Sequence, residues 1–253
     1  MSNFQTLSFN HSCDPGLDLK EFANTEDEQL YNDLIKDEYI ARKCADRDKR
    51  IKDIRLYIDE LAPEILSEDN KNLNNLFVVD IGPGPGELLE IARNHGYDHL
   101  GFDALLDDCE MGDKYIRFSH LMARRQDLKI EYCDFYKSIS ILPLANNSTV
   151  LINSRGSIEQ VFRDHLEGVP HKVHKDAKQL AWRVDENLKT AFSIMFNEFS
   201  RVLSPSGIIL IHGNGASNVE DYNKLIFETI SKIDTLHVEA SDGERLHKIR
   251  KIN

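Results

Sequence analysis

Cysteine is scarce in this chain of 253 residues: Cys13, Cys44, Cys109 and Cys133 are scattered, with no Cys-x-x-Cys pair. That spacing excludes a zinc knuckle and a disulfide framework of the secreted kind. Long apolar runs are missing too. No window approaches the roughly 18 apolar residues that a membrane-spanning helix needs, so no membrane span is expected. Residues Met1 to Gln5 lack a basic region followed by an apolar stretch, and the cytoplasm is the expected location. Basic residues are in deficit, 31 Lys and Arg against 43 Asp and Glu, for a net charge of -12. A surface of that sign repels phosphate backbones, and no nucleic-acid partner is expected. The densest basic run, Arg42 to Lys52, is interleaved with Asp46 and Asp48 and reads as a solvated helix face. Repeats and low-complexity tracts are absent.

What is present is 41% hydrophobic content, enough for one well-buried α/β domain with a small appendage. Residues 1–26 form a polar arm with a turn at Asp14-Pro15-Gly16. Residues 27–75 form a helical lid and a linker. Leu30 and Leu34 share one stripe, and Ile51, Ile54, Ile58 and Leu61 recur at spacings of three and four until Pro63, as two helices or one bent helix. Residues 76–253 form the main domain, opened by the apolar run Leu76 to Ile81, which has the character of a buried parallel strand.

Strands and helices then alternate. A helix over Glu87–His95 stops at Gly96, and a second strand covers His99–Asp103. A helix over Asp113–Arg125, a strand over Lys129–Asp134 and a strand over Ser148–Asn153 follow. An insertion at about 162–185 breaks the rhythm. A long helix through Val202 is closed by Leu203 to Pro205, and the fifth strand covers Gly207–His212. A helix from Val219 through Ile233 precedes two strands, Thr235–Glu239 and Leu246–Ile252, joined by a turn at Ser241-Asp242-Gly243. The expected fold is α/β: a doubly wound, mostly parallel, seven-stranded sheet with an antiparallel last strand, plus the N-terminal helices.

The informative segment is Val79 to Glu87, where glycines lie between a buried strand and a helix. Such a turn lets main chain approach a ligand more closely than any Cβ permits, and ligands in these sheets collect at the strand carboxyl ends. A dinucleotide loop needs Gly-x-Gly-x-x-Gly, but the third position counted from Gly82 is Glu87, a carboxylate where the pyrophosphate would lie. A phosphate-binding Walker loop is excluded because no Gly-Lys-Ser/Thr follows.

The pattern Asp80-x-Gly82-x-Gly84-x-Gly86 resembles the first motif of class I, Rossmann-like S-adenosylmethionine-dependent methyltransferases. That cofactor has no phosphate and carries an ammonium and a sulfonium, so it tolerates acidic neighbours. Asp103 closes the second strand, where a carboxylate can accept both ribose hydroxyls. The resemblance implies that Asp134, followed by Phe135, takes the adenine amino group after the third strand, and it places Asn153 at the cofactor. The segment Phe196 to Gly207 resembles the family's helix-turn-strand region, with Ser206 in place of the more usual glycine. The stretch Asp103 to Phe135 is similar to methyltransferases encoded among bacterial surface-polysaccharide genes.

Methyl transfer is an in-line displacement at an activated carbon, so the enzyme must align the acceptor and, for a hydroxyl, remove its proton. The acceptor side is expected at the end of the fourth strand and in the segment after it, with Glu159, His165, His171 or His174 as the general base. These histidines lack a helical i, i+4 pair, and no metal is expected. Motifs of adenine or glutamine amino-methylation and of cytosine C5 methylation are missing. That leaves small molecules, sugars and protein side chains as acceptors, and the expected activity is O-methylation of a small-molecule or glycan acceptor. A catalytically inert binding or scaffold protein, and a nicotinamide-dependent oxidoreductase, are the alternatives. No feature specifies an oligomeric state.

Overall fold

The computed structural model describes residues 21–22, 24–65, 76–104, 114–133, 141–158, 186–212, 219–241 and 246–252. The strands are β1 (Phe77–Ile81), β2 (Asp98–Ala104), β3 (Ile130–Cys133), β4 (Thr149–Arg155), β5 (Leu203–His212), β6 (Leu236–Ser241) and β7 (Leu246–Lys251). The helices are α1 (Thr25–Leu34), α2 (Glu38–Ala45), α3 (Arg47–Leu61), α4 (Glu87–Asn94), α5 (Lys114–Arg125), α6 (Glu186–Val202) and α7 (Val219–Ile230), with a short 3₁₀ turn at Pro63–Ile65. All seven strands join one sheet in the order β3-β2-β1-β4-β5-β7-β6. Pairing is parallel from β3 across to β5, and β7 runs antiparallel between β5 and β6. This is the expected doubly wound sheet. The chain winds outward from β1 in one direction and from β4 in the other, which leaves a crevice at their carboxyl ends.

Strand side chains alternate between faces, and the core separates accordingly. Val79, Ile81, Leu100, Phe102, Ile152, Ile209 and Ile211 pack against Phe192, Phe196 and Phe199 of α6 and Leu225 and Ile226 of α7. Val78, Leu151, Ile208 and Leu210 face the other way, against Ile58 of α3 and Leu88 and Ala92 of α4. One step further along the same face of each strand come Asp80, Asn153 and His212. The hydrophobic pattern that buries Val78, Leu151 and Leu210 therefore also delivers three polar side chains under α3.

The helical segment differs from the sequence expectation. It forms three helices, because Asn24 caps α1 by accepting from the Asp27 amide at 2.8 Å, and Asp37 caps α2 by accepting from the amides of Tyr39 and Ile40 at 3.1 and 3.4 Å. The basic run is solvated only in part: Arg42, Asp46, Asp48, Lys49 and Lys52 are exposed, but two arginines turn inward. Arg47 is buried and donates to Glu90, while Arg50 donates to Glu87 through Nε at 2.9 Å and through its terminal nitrogen at 2.6 Å. Both ion pairs cross from α3 to α4. Burial pushes the Glu90 carboxyl up, with Arg47 opposing.

At β5 the strand reaches back to Leu203, although continuous pairing with β4 begins at Ile208. Between them Ser206 holds a φ of 65°, the left-handed conformation that favours glycine. Helix α7 ends at Ile230, short of the expected Ile233. Among the described residues no helix is long and apolar enough to cross a membrane.

Candidate cofactor cleft

The turn from β1 into α4 is built by three glycines with left-handed backbone: Gly82 at φ +71°, Gly84 at +54° and Gly86 at +88°. An L side chain is strained there. Space argues the same way at two of them. A Cβ on Gly82 would lie 1.8 Å from Ser157 Oγ, and one on Gly86 would lie 2.3 Å from Leu128 Cδ1. The Gly82 amide donates to the Phe102 carbonyl at 2.8 Å, and the Gly86 amide donates to the Pro83 carbonyl at 3.0 Å, which fixes the turn against β2.

This turn forms one wall of a cleft of about 630 Å³, within the size range of small-ligand sites. Gly82, Pro83, Gly84 and Pro85 line it on one side, and Tyr57 of α3, Arg50, Tyr115 and Arg155 on others, with Asp80 and Asn153 among the lining residues too. Asn153 Nδ2 donates to Asp80 Oδ1 at 2.8 Å. Asp80 is only 5% exposed, and its carboxyl is pushed up to about 7. Burial is the main cause and the Glu87 and Asp103 carboxylates add to it, against the Asn153 hydrogen bond and Arg155. Burial likewise raises the phenol of Tyr57, and takes that of Tyr115 up to about 12. Both stay neutral at physiological pH. The Tyr57 ring meets His212 edge-on, with centroids 6.5 Å apart.

Glu87, at the first position of α4, is occupied by Arg50 rather than left facing the cleft alone. Its carboxylate takes the positive end of the helix, the place where a pyrophosphate would otherwise lie.

Several solved structures are similar to this chain. A SAM-dependent methyltransferase from Archaeoglobus fulgidus matches with a TM-score of 0.46 at 14% identity, over 85% of this chain and 100% of that one. A TehB-like SAM-dependent methyltransferase from Corynebacterium glutamicum matches with a TM-score of 0.41 at 13% identity, over 81% of this chain and 100% of that one. No protein-family model and no curated protein matches the chain. Likenesses of this degree decide nothing about chemistry, which has to be read from the cleft.

The structure brings Asp80, Gly82, Gly84 and Asn153 together on the cleft, with Gly86 as the cap of α4. Asp103 is not among the lining residues; it stands one step past the last β1–β2 pair, Ile81 with Phe102, and its charge reaches Asp80. Asp134, Phe135, Glu159, His165, His171 and His174 lie outside the described residues. Among the described residues no cluster of His, Cys, Asp and Glu could hold a metal ion. Arg155 falls at the end of the fourth strand, where the acceptor side is expected, but sequence reasoning gives it no role and misses Tyr57 and His212 as neighbours of this site. The alternation of β4 and β5 could have found Arg155 and His212, since Arg155 follows Asn153 by two and His212 follows Leu210 by two.

Proposed function

We propose that the chain is an S-adenosylmethionine-dependent methyltransferase whose cofactor lies over the turn Gly82–Gly86. The observation that carries this reading is the coincidence of the left-handed glycine turn with the buried Asp80–Asn153 pair at the carboxyl ends of β1 and β4. Asn153 Oδ1, buried and without a hydrogen-bond partner among the described residues, fits the same ligand, because it can accept from an ammonium. A zwitterionic, phosphate-free nucleoside suits a cleft whose helix terminus is already taken by Glu87.

On this reading Gly82, Gly84 and Gly86 let main chain approach the ligand, Asp80 and Asn153 face its cationic end, and Asp103 receives the ribose hydroxyls. Asp134 and Phe135 take the adenine. When bound, the cofactor supplies a methyl group made electrophilic by the adjacent sulfonium. The protein's part is to exclude water, hold the acceptor oxygen in line and remove its proton. Glu159, His165, His171 and His174 are the proposed candidates for that proton, and the segments 27–75 and 162–185 the proposed cover of the acceptor. The proposed acceptor is a hydroxyl of a sugar or another small metabolite, and the cytoplasm the proposed location.

Transfer of labelled methyl from S-adenosylmethionine to a panel of sugars, nucleotide sugars and small hydroxylated acids tests the reading. Label should appear on a hydroxyl-bearing acceptor with stoichiometric formation of S-adenosylhomocysteine. Binding of cofactor without transfer to any acceptor, or to water, would favour the inert binding protein instead.

A further inference from the structure

A buried hydroxyl without a partner forfeits the bonds it would make to water, and folded proteins avoid that loss unless a ligand or solvent makes the bond. Among the described residues Tyr57 Oη and Asn153 Oδ1 are two such atoms, and both residues line the cleft. Asn153 commits its amide nitrogen to Asp80, so its oxygen can only accept. Tyr57 stays neutral and so has a proton to donate.

Arg155, at the end of β4, lines the same cleft, and its charge reaches both Tyr57 and Asp80. It is exposed, and among the described residues no hydrogen bond or ion pair holds its side chain. The other charged groups on the cleft are differently placed. Arg50 and Glu87 neutralise each other, Lys43 sits 5.4 and 5.9 Å from the ring centres of Tyr39 and Tyr115, and Asp53 lies exposed on α3. An exposed guanidinium on the same cleft as an unsatisfied phenol, in a chain of strong negative charge, supplies two donors that an anion in that cleft can use.

We propose that Tyr57 and Arg155 form an anion subsite of this cleft that takes the carboxylate of a ligand, while Asn153 and Asp80 accept from a cationic or hydroxyl group beside it. The proposal rests on the cofactor reading above and adds two residues to it. A carboxylate can come from the amino-acid end of the cofactor or from an acidic acceptor. Planar guanidinium and phenol donors suit either.

The test compares two probes on the full chain and on Tyr57→Phe and Arg155→Gln. S-adenosylhomocysteine carries the amino-acid end, and methylthioadenosine has the same nucleoside and sulfur without it. Tyr57→Phe leaves the ring on His212, and thermal melting checks that both variants fold. A loss of about tenfold to a hundredfold in S-adenosylhomocysteine affinity in each variant, with methylthioadenosine affinity unchanged, supports the proposal with the cofactor as the source. Unchanged affinity for both, together with loss of acetate binding to the S-adenosylhomocysteine-loaded variants, supports it with the acceptor as the source. Equal loss of both nucleosides assigns the two side chains to the pocket wall and overturns it, as does no change in any of the three affinities. Failure of the unmodified protein to bind either nucleoside is a different result: it removes the cofactor reading, and the subsite with it.

Discussion

Replacing Asp80 with Asn removes a buried carboxyl that the fold keeps protonated up to about pH 7, so its effect on stability depends on pH in a calculable way. The ordinary value for this carboxyl is 3.8, and in the folded chain it titrates at about 7. Between those values the unfolded chain has released the proton while the folded chain still holds it. The folded state therefore binds more protons, and stability falls as pH rises through the window. Below it the group is neutral in both states, and above it ionised in both. A window of about three pH units at about 1.4 kcal/mol each gives a loss of about 4 kcal/mol by pH 8. Asp80→Asn cannot ionise and escapes that loss. The variant should match the parent near pH 4 and exceed it by up to about 4 kcal/mol at pH 8, on the order of 10 °C in melting temperature for a chain of this length. Calorimetric scans of both proteins from pH 4.5 to 8.5 in one salt background read the difference directly, because titrating groups that do not interact with Asp80 cancel. A difference in melting temperature that does not change with pH would refute the reasoning.

The same carboxyl should couple cofactor affinity to pH. A cationic sulfonium favours ionised Asp80, so S-adenosylmethionine affinity should rise between pH 6 and 8 in the parent chain and stay flat in Asp80→Asn; a parallel rise in both, by calorimetric titration, would contradict this. At the turn, Gly82→Ala forces a Cβ against Ser157 Oγ in a left-handed backbone, with about 1–3 kcal/mol of strain expected and at least tenfold weaker S-adenosylhomocysteine binding. Retained affinity would show that the turn does not approach the ligand. Arg47→Ala leaves Glu90 buried without its partner and should lower stability by about 3 kcal/mol in urea titration. The pair Arg47→Met with Glu90→Leu should recover most of that loss; a double variant as unstable as the single one would mean packing, rather than charge, holds α3 to α4.

Much of this architecture was legible because hydrophobic periodicity and burial are the same fact seen twice. The run Leu76 to Ile81 is apolar because its strand is covered on both faces, and Gly96 stops α4 because it adopts φ +83°. The glycine turn was legible for the same kind of reason, since left-handed backbone leaves few residue choices. Ser206 shows the rule from the other side: it stands where a glycine is usual and adopts the conformation that glycine favours. What could not be read was what one element does to another. Arg47 and Arg50 look solvated in sequence because their partners, Glu90 and Glu87, lie about forty residues away on a different helix. The break at Asp37 was obscured because an aspartate within a charged stretch does not announce itself as a cap. Tyr57 carried no signal at all; on α3 it is one aromatic among charged residues, and only the docking of that helix over β1 and β4 sets it in the cleft.

The central claim is that the turn at Gly82–Gly86 holds an adenosine bearing an amino acid rather than a dinucleotide. Calorimetric titration of the full chain with S-adenosylhomocysteine and, in parallel, with NAD tests it most directly. The account predicts saturable binding of S-adenosylhomocysteine that is lost when Asp103 is changed to Ala, with no heat from NAD. Saturable NAD binding, or S-adenosylhomocysteine binding indifferent to Asp103, would contradict it.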